Sequence, residues 1–244
     1  ASDVYKRQMN YYQTDNYAAQ SLDAKVSAVM KSVYVKMFLG LLVTAAVAWG
    51  VAATATPGSG FLYYLATHSW LYWALAIAEV GLVLWISAGL RKMSAGMATG
   101  LFFLFAVVNG LTLSLIFVVY SLPAIFKTFL ITAGVFGAMS VYGYFTNRDL
   151  TKIGTYLYMA LFGLIILMVV NIFWANSTLD WIISIVGVVL FIGITAWDTQ
   201  TIKRMAMADP TMANGRLATL GALNLYLDFI NLFIYLLRIF GNRD

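Results

Sequence analysis

Cysteine is absent from the 244 residues, and histidine occurs once, at His68. Disulfides, thiolate catalysis and nearly all zinc chemistry are excluded with them. Charge is scarce too, at 10% of residues, against about 25% in an average soluble domain. Glutamate occurs once, as Glu79. What fills the chain instead is apolar: 62% of residues are hydrophobic and the mean hydropathy is +0.83. Runs near 20 residues recur along almost the whole length, which is the span an α-helix needs to cross a bilayer. The composition therefore describes an all-α integral membrane protein with no room for a separate soluble domain. The net charge of +5 does not call for nucleic acid as a partner, because most Lys and Arg sit in short loops between spans, where topology explains them.

Residues 1–8, "ASDVYKRQ", have no hydrophobic core and are not a signal peptide; they read as a non-native extension before Met9. Residues 1–32 form a polar amino-terminal tail with at most one amphipathic turn around 21–31, and 33–244 form a single membrane domain. Its spans are expected at 33–53, 70–90, 95–120, 124–146, 153–174, 181–201 and 217–240, each long enough for a roughly 30 Å hydrocarbon core. Turn-forming stretches such as "TATPGSG", "TNRDLTK" and "TIKRMAMADPTMANGR" separate them. With the amino terminus inside, the cytoplasmic set of cations from Met9 onward is Lys25, Lys31, Lys36, Arg91, Lys92, Arg148, Lys152, Lys203, Arg204 and Arg216. The outer set is Lys127, Arg238 and Arg243. Ten against three predicts a cytoplasmic amino terminus in a multi-pass protein. Gly96, Gly100, Gly110, Gly134, Gly137 and Gly143 are expected at close helix crossings, and Trp70, Tyr72, Trp73, Trp174 and Trp181 at the membrane interfaces. His68, in an outer loop, is expected to be solvated.

Three acids fall inside spans: Glu79, Asp198 and Asp228. A carboxylate in the membrane is costly unless something offsets it, so each is a candidate functional residue. In the last span Asn224, Asp228, Asn231 and Tyr235 are spaced four, three and four, which lays them along one helical face. Such a stripe must face protein or water, and it makes the seventh helix the candidate centre of the bundle. Either the stripe is a hydrogen-bond network that fixes packing, or it is a path for ions. If Asp198 and Asp228 approach, two carboxylates at short range cannot both ionise and the pair shares a proton. Arg91, at the end of the second span, is a candidate latch on that pair; with Lys92 it also fits a plain positive anchor. Depth is the obstacle, since Asp198 falls near the inner boundary and Asp228 about eleven residues, or roughly 16 Å, into its helix.

"AWDTQTIKRM" at 196–205 and "LGALNLYLDFINLFIYLLRIFGNRD" at 220–244 resemble the signature of the Bax inhibitor-1, or transmembrane Bax inhibitor motif, family. "VNGLTLSLIFVVY" and "FGAMSVYGYFTNRDL" are similar to its bacterial inner-membrane branch, and the likeness runs from about residue 27 to the carboxyl end. The resemblance implies two three-helix layers around a central last helix and a pH-sensitive calcium leak. It implies that Asp198 and Asp228 are the pH-sensing pair and a weak, transient calcium site, with Glu79, Asn224 and Asn231 in support. Counted from Glu79, the family's latch arginine falls within one residue of Arg91, with Leu90 at the formal position.

Calcium then enters as the transported ion, and no cofactor is expected. Calcium prefers six to eight oxygens, so two carboxylates with a few amides suit transit better than storage. The alternative is a membrane interaction protein that modulates a partner such as a membrane protease, with the acids only structural. Enzymatic activity is not expected. His68 lies outside the spans, which disfavours serine proteolysis; 217–240 contain no lysine for a retinal Schiff base; and neither Asp198 nor Asp228 is followed by the glycine of intramembrane aspartyl proteases.

Overall fold

The computed structural model describes residues 2–56, 58–208 and 215–241, with side chains from residue 20 onward. The tail reading differs at once. α1 runs unbroken over Ser2–Ala53, and its membrane-length part begins at Gln20 instead of residue 33. The reason lies in the spacing: Val26, Val29, Met30, Val33, Met37 and Leu41 recur on one helical face and are all buried. Lys25 and Lys31 point away from it, exposed. The suggested start at Met9 falls where side chains lie outside the described residues.

After a short α2 (Phe61–Thr67) come α3 (Ser69–Gly89) and α4 (Ala95–Leu113). The Ser94 hydroxyl caps α4 by accepting a hydrogen bond from the Met97 amide at 3.1 Å. α4 breaks at Ser114 and Leu115 before a single turn, α5 (Ile116–Val119). α6 (Leu122–Phe145) starts with proline in its first turn, where a missing N–H costs nothing. α7 (Thr151–Trp174), α8 (Ser177–Ala208) and α9 (Arg216–Phe240) complete the chain. Seven segments are long and apolar enough to cross a membrane: α1 from Gln20, α3, α4 with α5, α6, α7, α8 and α9. Among the described residues there is no strand.

α1, α3 and α4 pack as one layer, α6, α7 and α8 as another, and α9 lies between them, touching members of both. Sixteen of the 25 residues of α9 are buried, whereas α3 buries Ile86 alone. α9 is thus the core of the bundle, as a helix with little lipid-facing surface must be. Trp70, Trp73, Trp174 and Trp181 are exposed near span ends, where amphipathic rings suit the headgroup region.

Hydrogen bonds bring several turns to one end of the bundle. Lys36 of α1 donates to Thr99 Oγ1 at 2.9 Å, to the Gly215 carbonyl at 3.1 Å and to Thr219 Oγ1 at 2.7 Å. Arg216 donates to the Arg91 carbonyl at 3.0 Å. The glycine expectation holds only in part. A side chain at Gly143 would strike the Ala196 backbone of α8, and one at Gly110 would strike Thr44 and Val47 of α1. At Gly96, Gly100, Gly134 and Gly137 an added Cβ meets open space. Close crossings fall instead at glycines facing aromatic rings, Gly40 on Phe102, Gly154 on Trp197 and Gly187 on Tyr235.

Candidate functional site

The depth obstacle disappears because α8 is longer than its apolar run. The sequence suggests a boundary near Lys203 and Arg204, yet the helix continues to Ala208. Asp198 lies ten residues before that end and Asp228 twelve residues after Arg216, about 15 and 18 Å at roughly 1.5 Å per residue. The cations that looked like a boundary are helical because their heads are occupied. Lys203 donates to the Tyr144 carbonyl at 2.8 Å and lies 4.6 Å from that ring. Arg204 pairs with Asp149 at 2.7 Å and donates to Thr151 Oγ1 at 2.7 Å. In this turn Thr151, then Arg204, holds the exposed Asp149 carboxyl well below the usual carboxylate range.

Asp198 and Asp228 therefore meet at matched depth, each 3% exposed. Their carboxyl groups face each other within hydrogen-bonding reach, and no guanidinium lies beside either. Asp228 Oδ2 has no hydrogen-bond partner. The Tyr158 phenol of α7 is the other titratable group in electrostatic range of both. Its ring packs edge-on against Trp197 at 5.1 Å, and Gly154 lets that indole sit flush on α7. Gln200 ties the α6–α7 turn to the same helix: its amide donates to the Arg148 carbonyl at 2.8 Å and accepts from the Leu150 amide at 3.0 Å.

Of the predicted stripe on α9, Asp228 and Tyr235 face α8. Beyond Asp228, the Tyr235 ring stacks 5.9 Å from Phe191, lies on Gly187, and donates from its hydroxyl to Met168 Sδ at 3.3 Å. Asn231 donates back to the Leu227 carbonyl at 2.8 Å, and Asn224 is half-buried. Arg91 does not join the pair. It is exposed in the turn after α3, with only its carbonyl engaged, by Arg216, while the neighbouring Leu90 takes the buried position. The latch is thus not made in this structure.

Glu79 belongs to a different cluster. It accepts hydrogen bonds from Thr112 Oγ1 at 2.6 Å and Asn109 Nδ2 at 3.1 Å. The Tyr226 hydroxyl donates to Asn109 Oδ1 at 2.8 Å and lies 2.6 Å from Thr44 Oγ1, which donates to the Ala106 carbonyl at 2.9 Å. Tyr226 precedes Asp228 by two residues, about 200° around the helix, so this chain lies on the opposite face of α9. His68 is exposed beside α2, its Nδ1 2.9 Å from Thr67 Oγ1.

This arrangement has relatives. The family model described as inhibitor of apoptosis-promoting Bax1 matches residues 26–244. The chain belongs to the Bax inhibitor-1 family. Inner membrane protein YbhL of Escherichia coli K12 is 46% identical over 223 residues, covering 90% of this chain and 94% of YbhL. An uncharacterized protein of Borreliella burgdorferi is 44% identical over 88% of this chain and 91% of its own length. Protein RP147 of Rickettsia prowazekii is 40% identical over 92% and 93%. The family match begins at Val26, the first buried side chain of α1 among the described residues.

Several residues that matter in this family member escape a reading based on charge and single-helix periodicity. Tyr226, Thr44 and Asn109 carry no net charge and come from three helices. Gln200, inside the quoted family motif, reveals its role only through the turn it holds. The signal that was present is compositional: hydroxyls and amides at positions buried in an apolar bundle require partners.

Proposed function

We propose that this Bax inhibitor-1 family membrane protein is a pH-sensitive calcium leak channel whose gate is the Asp198–Asp228 pair. One observation supports it most: two carboxyl groups from adjacent helices meet in the buried core without a neighbouring cation, and one oxygen of Asp228 is left unpartnered. Two facing carboxyls without a counter-charge hold a proton between them, and its loss changes the charge of the core. No third acid or histidine gathers with them among the described residues. Calcium therefore meets a weak transit site of two carboxylates, completed by water and passing amides such as Asn224.

The ten-to-three distribution of cations supports a cytoplasmic amino terminus in the inner membrane, the location that YbhL's name gives for that relative. Arg91 then acts as an anchor at the headgroups. The test is calcium flux from liposomes holding the purified chain, followed across roughly pH 6 to 8. The parent leaks with a rate that depends on pH, and Asp198→Asn and Asp228→Asn remove that dependence. A parent chain that passes no calcium at any of these pH values overturns the channel reading.

A further inference from the structure

Three buried side-chain oxygens without a hydrogen-bond partner are found among the described residues: Ser140 Oγ on α6, Thr199 Oγ1 on α8 and Asp228 Oδ2 on α9. Buried polar atoms are almost always satisfied, by protein or by ordered water, so three on neighbouring helices are informative. Thr199 follows Asp198 directly. The Tyr34 phenol of α1 lies beside both the Ser140 and Thr199 hydroxyls, yet neither hydroxyl makes a hydrogen bond of good geometry. In front of them a crevice of about 520 Å³ opens between α1 and α6, bordered by Ser27, Lys31, Tyr34, Gly137, Ser140 and Tyr144.

We propose that this crevice is the aqueous route by which protons reach the aspartate pair from the end of the bundle that carries the amino terminus, with the Tyr34 ring as its lid. The proposal rests on the pH-sensitive reading of the pair and adds the path that reading needs.

A second crevice differs from the first in how little of its wall is polar. Between α1, α5 and α6 a cavity of about 400 Å³ is walled by residues such as Leu42, Trp49, Phe126, Phe129 and Phe233. Such a surface takes acyl chains. The α1–α6 crevice also has apolar walls, Met30, Phe136, Val141 and Phe145, but it reaches the hydroxyls of Tyr34 and Ser140, with the buried Thr199 hydroxyl behind the Tyr34 phenol, and each can pass a proton while accepting another. A file of single waters in such a route is stabilised by polar partners along its length. The charged and titratable groups facing this route are Lys31 and Tyr34 from α1, Tyr144 from α6, Lys203 from α8 against Tyr144, and Tyr158 from α7 beside the pair itself. Lys31 at the mouth disfavours entry of divalent cations, so the route is one for protons and water while calcium passes elsewhere.

The lack of native cysteine makes the test direct. Ser140→Cys and Thr199→Cys are placed singly in the full chain, in everted membrane vesicles, and exposed to silver ion, a thiol probe that travels in water. Protection is read as lost labelling by a fluorescent maleimide after denaturation. Thr132→Cys, at a buried position whose hydroxyl is bonded within its own helix, is the dry control. Both route positions should be protected about tenfold faster than the control, because only a solvated thiol ionises and reacts readily. Tyr34→Ala should accelerate both, and Tyr34→Trp should slow both. Protection at 140 without protection at 199, or no protection at either, overturns the route. Equal rates in the Tyr34 variants overturn the lid. If both positions react while calcium flux ignores Asp198→Asn, the route stands and the channel reading falls. Unreactive positions with flux that still depends on the aspartates overturn the route and leave the channel reading standing.

Discussion

The two faces of α9 carry polar groups in contrasting conditions. Toward α1, α3 and α4, Tyr226 sits in a chain of polar contacts from the Ala106 carbonyl through Thr44, Tyr226 and Asn109 to Glu79, 2.6–3.1 Å apart, in which Tyr226 donates to Asn109 and the single Thr44 proton is shared between Tyr226 and the Ala106 carbonyl. Toward α8, Asp228 meets only another carboxyl and keeps one oxygen unpartnered. A satisfied buried network fixes a single arrangement of helices. An unsatisfied one costs stability and persists where it has another use. The α4-facing side is therefore the scaffold that sets α9 in place, and the α8-facing side is where the proposed pH response resides.

Substitutions on the two faces should separate stability from response. The largest effect belongs to the pair: Asp198→Asn or Asp228→Asn should flatten the pH response of calcium flux while changing stability by less than about 1 kcal/mol, since the amide keeps the shape and its N–H can donate to the facing carboxyl in place of the shared proton. Liposome flux and chemical unfolding in detergent check the two halves. Next is Tyr226→Phe, which strands the amide oxygen of Asn109 while Thr44 keeps the Ala106 carbonyl as its acceptor; a loss of about 1–3 kcal/mol is expected, with the pH response intact. Thr44→Val should cost about 1 kcal/mol by the same unfolding measurement, because the buried Ala106 carbonyl loses its side-chain donor.

The smallest effect lies outside the membrane, at Asp149. Its carboxyl is held below the ordinary range by Thr151 and Arg204, so its contribution is present above the unfolded value of about 3.9 and fades as pH falls through the lower folded value. Asp149→Asn should leave neutral-pH unfolding nearly unchanged and slightly flatten the acid side. Exposure of the pair to solvent keeps this contribution small.

The same contrast explains what was legible in the sequence. Seven apolar runs announce the spans because a bilayer demands them, and the four-three-four spacing announces the α8-facing stripe because one helix carries it all. The end of α8 was hidden: Lys203 and Arg204 look like a boundary until the Tyr144 carbonyl and Asp149 are seen to occupy them. α1 was cut short at residue 33 for the same reason, since Lys25 and Lys31 obscure the buried run that begins at Val26. The Tyr226 chain was illegible because neutral groups on three helices link it to Glu79, the one member that charge had singled out. Arg91 was drawn toward the acids by its charge, its place at the end of the second span and the family resemblance, whereas the fold turns it outward and buries Leu90. Composition likewise cannot tell Gly143, pressed on the Ala196 backbone, from Gly137, which meets open space.

The most direct test of this account is calcium flux against pH for three chains in matched liposomes: the parent, Asp228→Asn and Tyr226→Phe. The account predicts the same pH profile for the parent and Tyr226→Phe, and a flat one for Asp228→Asn. A parent-like profile in Asp228→Asn, or a flat one in Tyr226→Phe, would contradict the assignment of response to one face of α9 and scaffold to the other.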